Sequence, residues 1–281
     1  MNAGRKNLIS ACVAAALCAS ASALASDQSP WVNAAGAGEI SVAYGAQSAD
    51  RFYAGDTEMP LPVDLELQTM LVSASYGITD RLSIDGQFAY GQSEFTVDPV
   101  LAPQGGLSGL ADSKIGLRYW LYGEDGAAIT LRGAAIIEGG YDTGAITAIG
   151  DGGSGVEVAV LVGKVFESGL AISGELGYRT RGNDVPEDIF GSATASYAFN
   201  RTVGMYAGYQ FVRSDGELDI GGPGFSPPRF PEVEEEYDLV HGGISINFDE
   251  QWIASVGYGR KFGGRNTAKS DFLSLALTYA F

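Results

Sequence analysis

The sequence predicts an all-β protein: a transmembrane, antiparallel, up-and-down β-barrel of about 12 strands that follows a cleaved signal peptide. Three observations support this prediction. Apolar and polar residues alternate in segments along the whole chain, short and long connections alternate between those segments, and the chain ends on an aromatic residue preceded by alternating apolar residues.

The first 25 residues have the features of a signal peptide. Arg5 and Lys6 form a short basic region, residues 8–21 form an apolar run rich in alanine, and residues 23–25 match the A-x-A pattern of a cleavage site. That run is too short to be a membrane anchor. We therefore divide the chain into a signal peptide, residues 1–25, and an outer-membrane barrel, residues 26–281.

Composition excludes several classes of protein. Both cysteines, Cys12 and Cys18, leave with the signal peptide, so we expect neither disulfides nor thiolate metal sites, and we expect no cofactor. Loss of Arg5 and Lys6 changes the net charge from −17 to −19, which argues against a nucleic-acid partner. No apolar run near 18 residues follows residue 25, so no membrane-spanning helix is expected.

The alternating segments define 12 predicted strands, and the residues before the first of them are expected to form only a short arm. Each segment is long enough to cross a membrane as a tilted strand of about 9–11 residues. The predicted strands are 38–48, 65–78, 81–95, 112–122, 127–139, 155–166, 170–181, 189–199, 202–213, 238–248, 251–262 and 270–281.

The connections between these strands alternate in length. Every second connection is a short turn of Gly, Asn, Asp or similar residues: 79–80, 123–126, 167–169, 200–201 and 249–250. The others are longer and polar, for example 49–64, 96–111, 140–154 and 214–237. Bacterial outer-membrane barrels have short periplasmic turns and long external loops. An even number of strands then places both termini in the periplasm.

Alternation within the strands indicates which face meets lipid. In the last strand, Leu273, Leu275, Leu277, Tyr279 and Phe281 share one face, and small or polar residues share the other. Because lipid cannot hydrogen-bond polar groups, the apolar face is the outer one. Outward aromatic residues form two expected belts: a periplasmic belt of Tyr76, Tyr119, Phe166, Tyr197, Phe199, Phe248, Trp252, Tyr279 and Phe281, and an extracellular belt of Tyr90, Tyr141, Tyr178, Tyr209, Phe211 and Tyr258.

These surfaces predict two partners. The apolar band and its belts predict contact with outer-membrane lipid and lipopolysaccharide. The residues Leu277, Tyr279 and Phe281 resemble the C-terminal assembly signal of outer-membrane barrels, so the barrel-assembly machinery is expected to bind them.

Charged residues of both signs have inward parity, and they are the candidates for a lumen constriction. Asp85, Arg118 and Arg132 lie at similar depth on neighbouring strands. A charged constriction could select solutes; a set of buried ion pairs could instead brace a narrow lumen, and pairing alone would explain the charges. The full set of lumen candidates is Asp85, Lys114, Arg118, Arg132, Glu138, Glu157, Glu175, Arg179 and His241.

Two further patterns have ordinary explanations. His241, the only histidine, shares its face with Ser245 and Asn247, but the local motifs of an outer-membrane phospholipase do not occur around it, so a polar lumen residue is expected. The acidic cluster Glu232, Glu234, Glu235, Glu236 and Asp238 matches no defined calcium loop, and a solvated external loop is expected. We predict no metal site.

Two motifs resemble a known family. The segments 76–84 (YGITDRLSI) and 109–119 (GLADSKIGLRY) are similar to the turn and strand motifs of a transporter-like outer-membrane family named for the meta-pathway of phenol degradation. The resemblance is best from about residue 70 to residue 200. It implies a barrel that admits small aromatic or hydrophobic compounds, with Asp80, Arg81 and Asp112 as motif positions that have no catalytic role. Ala111 replaces the usual glycine before Asp112.

The sequence therefore predicts a non-enzymatic channel of the outer membrane for passive uptake of small solutes, with aromatic or hydrophobic compounds as candidate solutes. One alternative is a structural or adhesive barrel with a filled lumen. The other is an outer-membrane hydrolase, which the missing motifs disfavour.

Overall fold

A computed structural model describes residues 29–95, 106–143 and 147–281, and it forms one closed antiparallel barrel. Its strands are β1 (Gly38–Ala54), β2 (Thr57–Thr79), β3 (Leu82–Glu94), β4 (Gly106–Leu110), β5 (Ser113–Tyr122), β6 (Ala127–Ile137), β7 (Gly155–Val165), β8 (Leu170–Arg181), β9 (Asp188–Ala198), β10 (Val203–Ser214), β11 (Glu236–Asn247), β12 (Trp252–Arg265) and β13 (Ala268–Ala280). One 3₁₀ helix covers Pro227–Glu232.

Each strand pairs with the next, except that β4 and β5 both pair with β3, and β1 pairs with β13 to close the ring. The barrel has 12 strand positions, because β4 and β5 share one: β4 pairs with the extracellular part of β3 and β5 with its periplasmic part. Ala111 and Asp112 interrupt the strand between them. The predicted 12-stranded, up-and-down architecture is therefore confirmed. The predicted signal peptide, residues 1–25, lies outside the described residues.

The chain termini meet where the ring closes. The backbone amide of Gly38 donates to the carbonyl of Phe281, and the amide of Phe281 donates to the carbonyl of Gly38, both at 2.9 Å. Tyr279 packs against Trp252 with ring centroids 4.8 Å apart. Leu277, half exposed on the lipid side, completes the face predicted to be the assembly signal.

The prediction of a long connection over residues 49–64 is wrong. β1 continues to Ala54 and β2 begins at Thr57, so a tight turn at Gly55 and Asp56 joins an extended hairpin. Alternation persists through this region, and the inward side chains of Leu61, Val63 and Leu65 pack with a small core that includes Phe52. Similarly, only Asn266 and Thr267 separate β12 from β13. In both hairpins the strands extend further from the membrane than predicted, and only a two-residue turn connects them.

The outer face is apolar, as predicted. Val158, Val160, Ile172 and many similar side chains on alternate positions are largely exposed, and the inward positions between them are buried. The periplasmic aromatic belt lies on this face. Two predicted members of the extracellular belt differ: Phe211 is only partly exposed, and Tyr141 follows the end of β6 and turns into a loop. None of the described residues belongs to a helix with the length and hydropathy that a membrane span needs.

Candidate functional site: the barrel lumen

A buried ion-pair network, made of Asp85, Lys114, Arg118, Arg132 and Glu157, crosses the inner wall from β3 to β7. Asp85 lies 3.3 Å from both Arg118 Nε and Arg132 Nη2. Glu157 also pairs with Arg132, and its Oε2 lies 2.8 Å from Lys114 Nζ. Four of these side chains are at most 5% exposed, so they occupy the lumen instead of lining an open bore.

The other predicted lumen residues lie at different places along the barrel. Glu175 is buried on β8 and acts electrostatically on Arg132, so it lies beside the network. Arg179 lies higher on β8 and pairs with Asp188 at 2.6 Å. Glu138 is not in the lumen: β6 ends at Ile137, and the Glu138 side chain is exposed, with one carboxylate oxygen accepting a hydrogen bond from Asn183.

His241 faces inward on β11, where its ring lies 5.9 Å from that of Tyr206. Ser245 and Asn247 share its face, but a strand rises about 3.3 Å per residue, which places Ser245 about 13 Å from His241 along β11. Asn247 donates to the carbonyl of Arg201 in a periplasmic turn. These three residues are too far apart to act as one catalytic group.

The arm, residues 29–37, lies inside the barrel at its periplasmic end. Pro30 is fully buried, and its carbonyl accepts a hydrogen bond from Thr130 Oγ1 at 2.5 Å. The carbonyl of Ser29 accepts one from Arg118 at 3.0 Å, so the arm touches the ion-pair network. The sequence prediction of a short arm missed this insertion.

The middle of the arm binds the inner wall near the turn between β2 and β3. The amide of Asn33 donates to Ser83 Oγ, and its side-chain amide donates to Ser75 Oγ at 2.8 Å. The amide of Ala35 donates to Asp80 Oδ1 at 3.1 Å. Asp80, identified in the sequence only as a motif position, is thus an acceptor for the arm.

Gly163 on β7 makes room for the arm. A Cβ atom at this position would lie 2.6 Å from Pro30 Cγ and 2.7 Å from Trp31 Cη2, both closer than real Cβ contacts. The only sequence signal for this insertion was the bulky pair Pro30–Trp31 within a segment of small residues.

At the extracellular end, residues 138–143 and 147–154 of one loop fold inward, and Asp112 fixes them. Its carboxylate accepts hydrogen bonds from the Gly139 amide at 3.0 Å, the Tyr141 hydroxyl at 2.5 Å and the Asp151 amide at 3.3 Å. Further along the loop, the carbonyl of Thr147 accepts a bond from Ser93 Oγ at 2.6 Å. The motif residue Asp112 therefore lies at the interruption between β4 and β5, where it positions a loop over the lumen.

Electrostatics keep this loop docked. Burial raises the pKa of the Tyr141 phenol above its ordinary value, and the hydrogen bond to Asp112 raises it further, so Tyr141 remains a donor. Burial alone would raise the pKa of Asp151, but Arg181 and Arg179 outweigh it and hold that pKa below its ordinary value. Asp151 therefore stays charged and pairs with Arg181.

The acidic loop of residues 215–235 is not a free, solvated segment. Arg265 pairs with Asp219 at 2.6 Å and with Glu234 at 3.0 Å. The Asn266 side chain donates to Asp219 and accepts from the amides of Gly55 and Ile220. This loop therefore closes over one side of the extracellular mouth.

Between these loops lies a cavity of about 390 Å³. Its apolar wall includes Phe52, Leu65, Ile149 and Phe230. Its polar wall has three cations and three carboxylates: Arg179, Arg181, Lys261, Asp151, Asp188 and Glu235. Arg181 Nη2 lies 2.5 Å from Asp188, and Lys261 lies 3.7 Å from Glu235, so the charges are balanced locally. Across the described ranges, no three His, Cys, Asp or Glu side chains converge as metal ligands would.

Comparisons with known proteins agree with this fold. The model of the family described as "Putative MetA-pathway of phenol degradation" matches residues 49–277. An outer membrane channel from Pseudomonas putida F1 is similar, with a TM-score of 0.75, 16% identity, and coverage of 91% of this chain and 99% of that one. The NanC porin has a TM-score of 0.55, 7% identity, and coverage of 85% and 98%.

A translocator domain of the autotransporter NalP from Neisseria meningitidis has a TM-score of 0.50 and 12% identity, and 89% of this chain and 90% of that one are covered. No curated protein matches. At these identities the solved structures establish the fold, and the family model establishes the family. The protein is an outer-membrane β-barrel that belongs to the family described by the MetA-pathway of phenol degradation.

Proposed function

We propose that this protein is a channel for the passive uptake of small solutes, which enter through the extracellular cavity and leave past the arm. The cavity is the observation that carries the proposal. Its volume of about 390 Å³ falls within the range of about 300–1,000 Å³ that is typical of small-molecule sites. A barrel with a purely structural role would not need a cavity of this size at its extracellular mouth.

The cavity walls indicate a neutral solute with an apolar body. Phe52, Ile149 and Phe230 offer an apolar surface, while the opposite wall offers paired charges with donors and acceptors of both signs. Because those charges balance, an ion of either sign gains little. A small aromatic compound with a polar substituent fits both walls, and the family description points to the same class of compound.

Passage beyond the cavity requires the arm to move. The arm, Tyr206 and the deeper part of the ion-pair network fill the periplasmic half of the lumen, where inward side chains such as Ser83 and Thr130 have no solvent exposure. The described residues make seven hydrogen bonds between the arm and the wall. Each contributes only about 1 kcal/mol net, because water can replace it when the arm moves. Displacement of the arm would uncover the inner wall from β2 to β7 and leave room for a solute to pass.

Liposome swelling tests this proposal directly. Purified full-length barrel and a variant lacking residues 29–34 would be compared in glucose and in phenyl glucoside, which is neutral and aromatic. We expect both proteins to admit both solutes, the shortened variant faster, and phenyl glucoside to enter at least as fast as glucose despite its size. Faster entry of glucose would contradict the preference for aromatic solutes.

The second candidate function is a structural barrel with a filled lumen. The buried network favours it, because paired charges and the inserted arm brace the wall without any need for transport. Absence of swelling with both proteins, while heat-dependent gel migration shows a folded barrel, would support this candidate and contradict the channel.

A further inference from the structure

Three basic side chains form a patch on the outer surface of the barrel, which we define as Arg51, Lys269 and Arg260. Arg51 on β1 is paired in register with Lys269 on β13. Arg260 on β12 lies opposite Asp271, two residues from Lys269 on β13. Their side chains are 49%, 22% and 51% exposed, in that order. The patch therefore spans three adjacent strands.

The patch lies at the extracellular edge of the membrane's apolar layer. On β12 the outward side chains run from Trp252 in the periplasmic belt to Tyr258 in the extracellular belt, which is about 20 Å along the strand. Arg260 follows about 7 Å further on. An apolar band of about 25 Å lies between the aromatic girdles of such barrels. Because the strands of such barrels tilt by about 35–45°, Arg260 stands about 20 Å above Trp252 along the membrane normal. Its long side chain extends the guanidinium outward from there, to the level of the lipid head groups in the outer leaflet.

Two carboxylates hold the side chains of the patch in place. Glu58 accepts hydrogen bonds from Arg51 and Lys269, both at 2.8 Å. Asp271 accepts one from the Tyr258 hydroxyl at 2.5 Å and lies 3.7 Å from Arg260 Nε. The three cations share two carboxylate partners, and the exposed Asp50 lies beside Arg51, in a chain whose net charge is −17. The side chains of Arg51 and Arg260 remain about half exposed and are accessible to a ligand.

We propose that this patch binds a phosphate group of lipid A, the anchor of lipopolysaccharide in the outer leaflet. An arginine guanidinium matches a phosphate in bidentate geometry, and a lysine adds a point charge. The exposed rings of Tyr258 and Phe262 lie on either side of Arg260 along β12, where they would contact the acyl chains and the sugar. The proposal concerns the lipid face and is independent of transport through the lumen.

Lipid A binding by the folded full-length protein in detergent micelles tests the proposal. The variant R51Q/R260Q/K269Q removes the patch. The matched control is R213Q, because Arg213 is also an exposed basic residue that pairs with a carboxylate, Asp238, but on β10. We expect the triple variant to bind bisphosphorylated lipid A about tenfold more weakly than the wild type, and R213Q to remain within about twofold.

Further measurements identify the group that is bound and serve as controls. Dephosphorylated lipid A should bind the wild type as weakly as bisphosphorylated lipid A binds the triple variant. The charge-preserving variant R51K/R260K should recover part of the affinity. Equal binding of both lipid A forms by the wild type would overturn the proposal, and so would binding of phosphatidylglycerol as tight as that of lipid A. Heat-dependent gel migration would confirm that each variant is folded.

Discussion

The two halves of the lumen are built differently. In the periplasmic half, the arm and the Asp85, Arg118 and Arg132 side chains of the network fill the space, and inward side chains such as Ser83 and Thr130 are inaccessible. In the extracellular half, two loops fold over the mouth and leave a cavity of about 390 Å³. The strands form a continuous wall through both halves. Strand side chains and the arm therefore close the periplasmic half, whereas loops outside the strands shape the extracellular half.

The two motif acids connect this difference to the sequence. Asp80 accepts a hydrogen bond from the arm, and Asp112 accepts three from the extracellular loop. Both residues stand where a strand ends or is interrupted. Their shared role is to bind a non-strand segment to the barrel wall, one at each end of the lumen.

The largest expected effect is the loss of Arg132 from the filled half. Arg132→Leu leaves Asp85 and Glu157 without a shared cation in a buried site, which should cost about 3 kcal/mol or more in the free energy of unfolding. Urea unfolding of the refolded protein measures this cost. The control Arg213→Gln breaks an exposed pair and should cost less than about 1 kcal/mol. Equal unfolding midpoints of the wild type and the Arg132→Leu variant would show that the network does not brace the lumen.

The next effect concerns the arm itself. Gly163→Ala places a methyl group against Pro30 and Trp31, and overpacking of about 1–3 kcal/mol should push the arm out. We expect a higher single-channel conductance and faster quenching of Trp31 fluorescence by acrylamide. Gly133→Ala on the neighbouring strand is the control, because nothing lies within 4 Å of its Cβ position. If the two variants behave alike, the arm does not obstruct the lumen.

A smaller effect is expected at the open half. Asp112→Ala removes the acceptor of three hydrogen bonds, each of which stabilises the docked loop by about 1 kcal/mol. Hydrogen exchange of residues 138–143 and 147–154 should accelerate at least about tenfold. The exposed Asp142, in the same loop, gives the control Asp142→Ala. Unchanged exchange in the Asp112 variant would contradict its anchoring role.

The smallest effect is the pH dependence of the same loop. The pKa of Asp151 is depressed in the folded protein, so its contribution to docking is complete above the ordinary value of 3.8 and is lost only as the pH falls through the lower folded pKa. Hydrogen exchange of the loop should therefore be constant from neutral pH to about pH 4, after correction for the intrinsic rate. Arg181→Gln should move the loss to higher pH; an unchanged profile would contradict the pairing.

The barrel itself could be predicted from the sequence because one physical rule governs it. Lipid on one side and a polar interior on the other force a period of two, and that period identified all 12 strand positions. Strand ends were less predictable. Leu61, Val63 and Leu65 continue the alternation beyond the membrane, but Pro60, Pro62 and Asp64 between them resemble a loop.

The candidate site was predictable only in part. Parity placed Asp85, Arg118 and Arg132 on one inner face, and their pairing followed from burial. Parity could not place Glu138, because the end of β6 depends on the Asp112 anchor. It also could not reveal the arm, whose position depends on Gly163 and Thr130, far from it in sequence. Contacts of this kind leave no periodic signal.

The most direct test of the account is the conductance of a barrel whose arm is locked. In the mature chain, which the sequence predicts to be free of cysteine, Pro30→Cys and Gly163→Cys would place two thiols where the arm touches β7. We predict a low conductance in planar bilayers when the pair is oxidised and a several-fold higher one after reduction, and no dependence on oxidation state in the single variants. Equal conductance of the oxidised and reduced protein would contradict the claim that the arm closes the periplasmic half of the lumen.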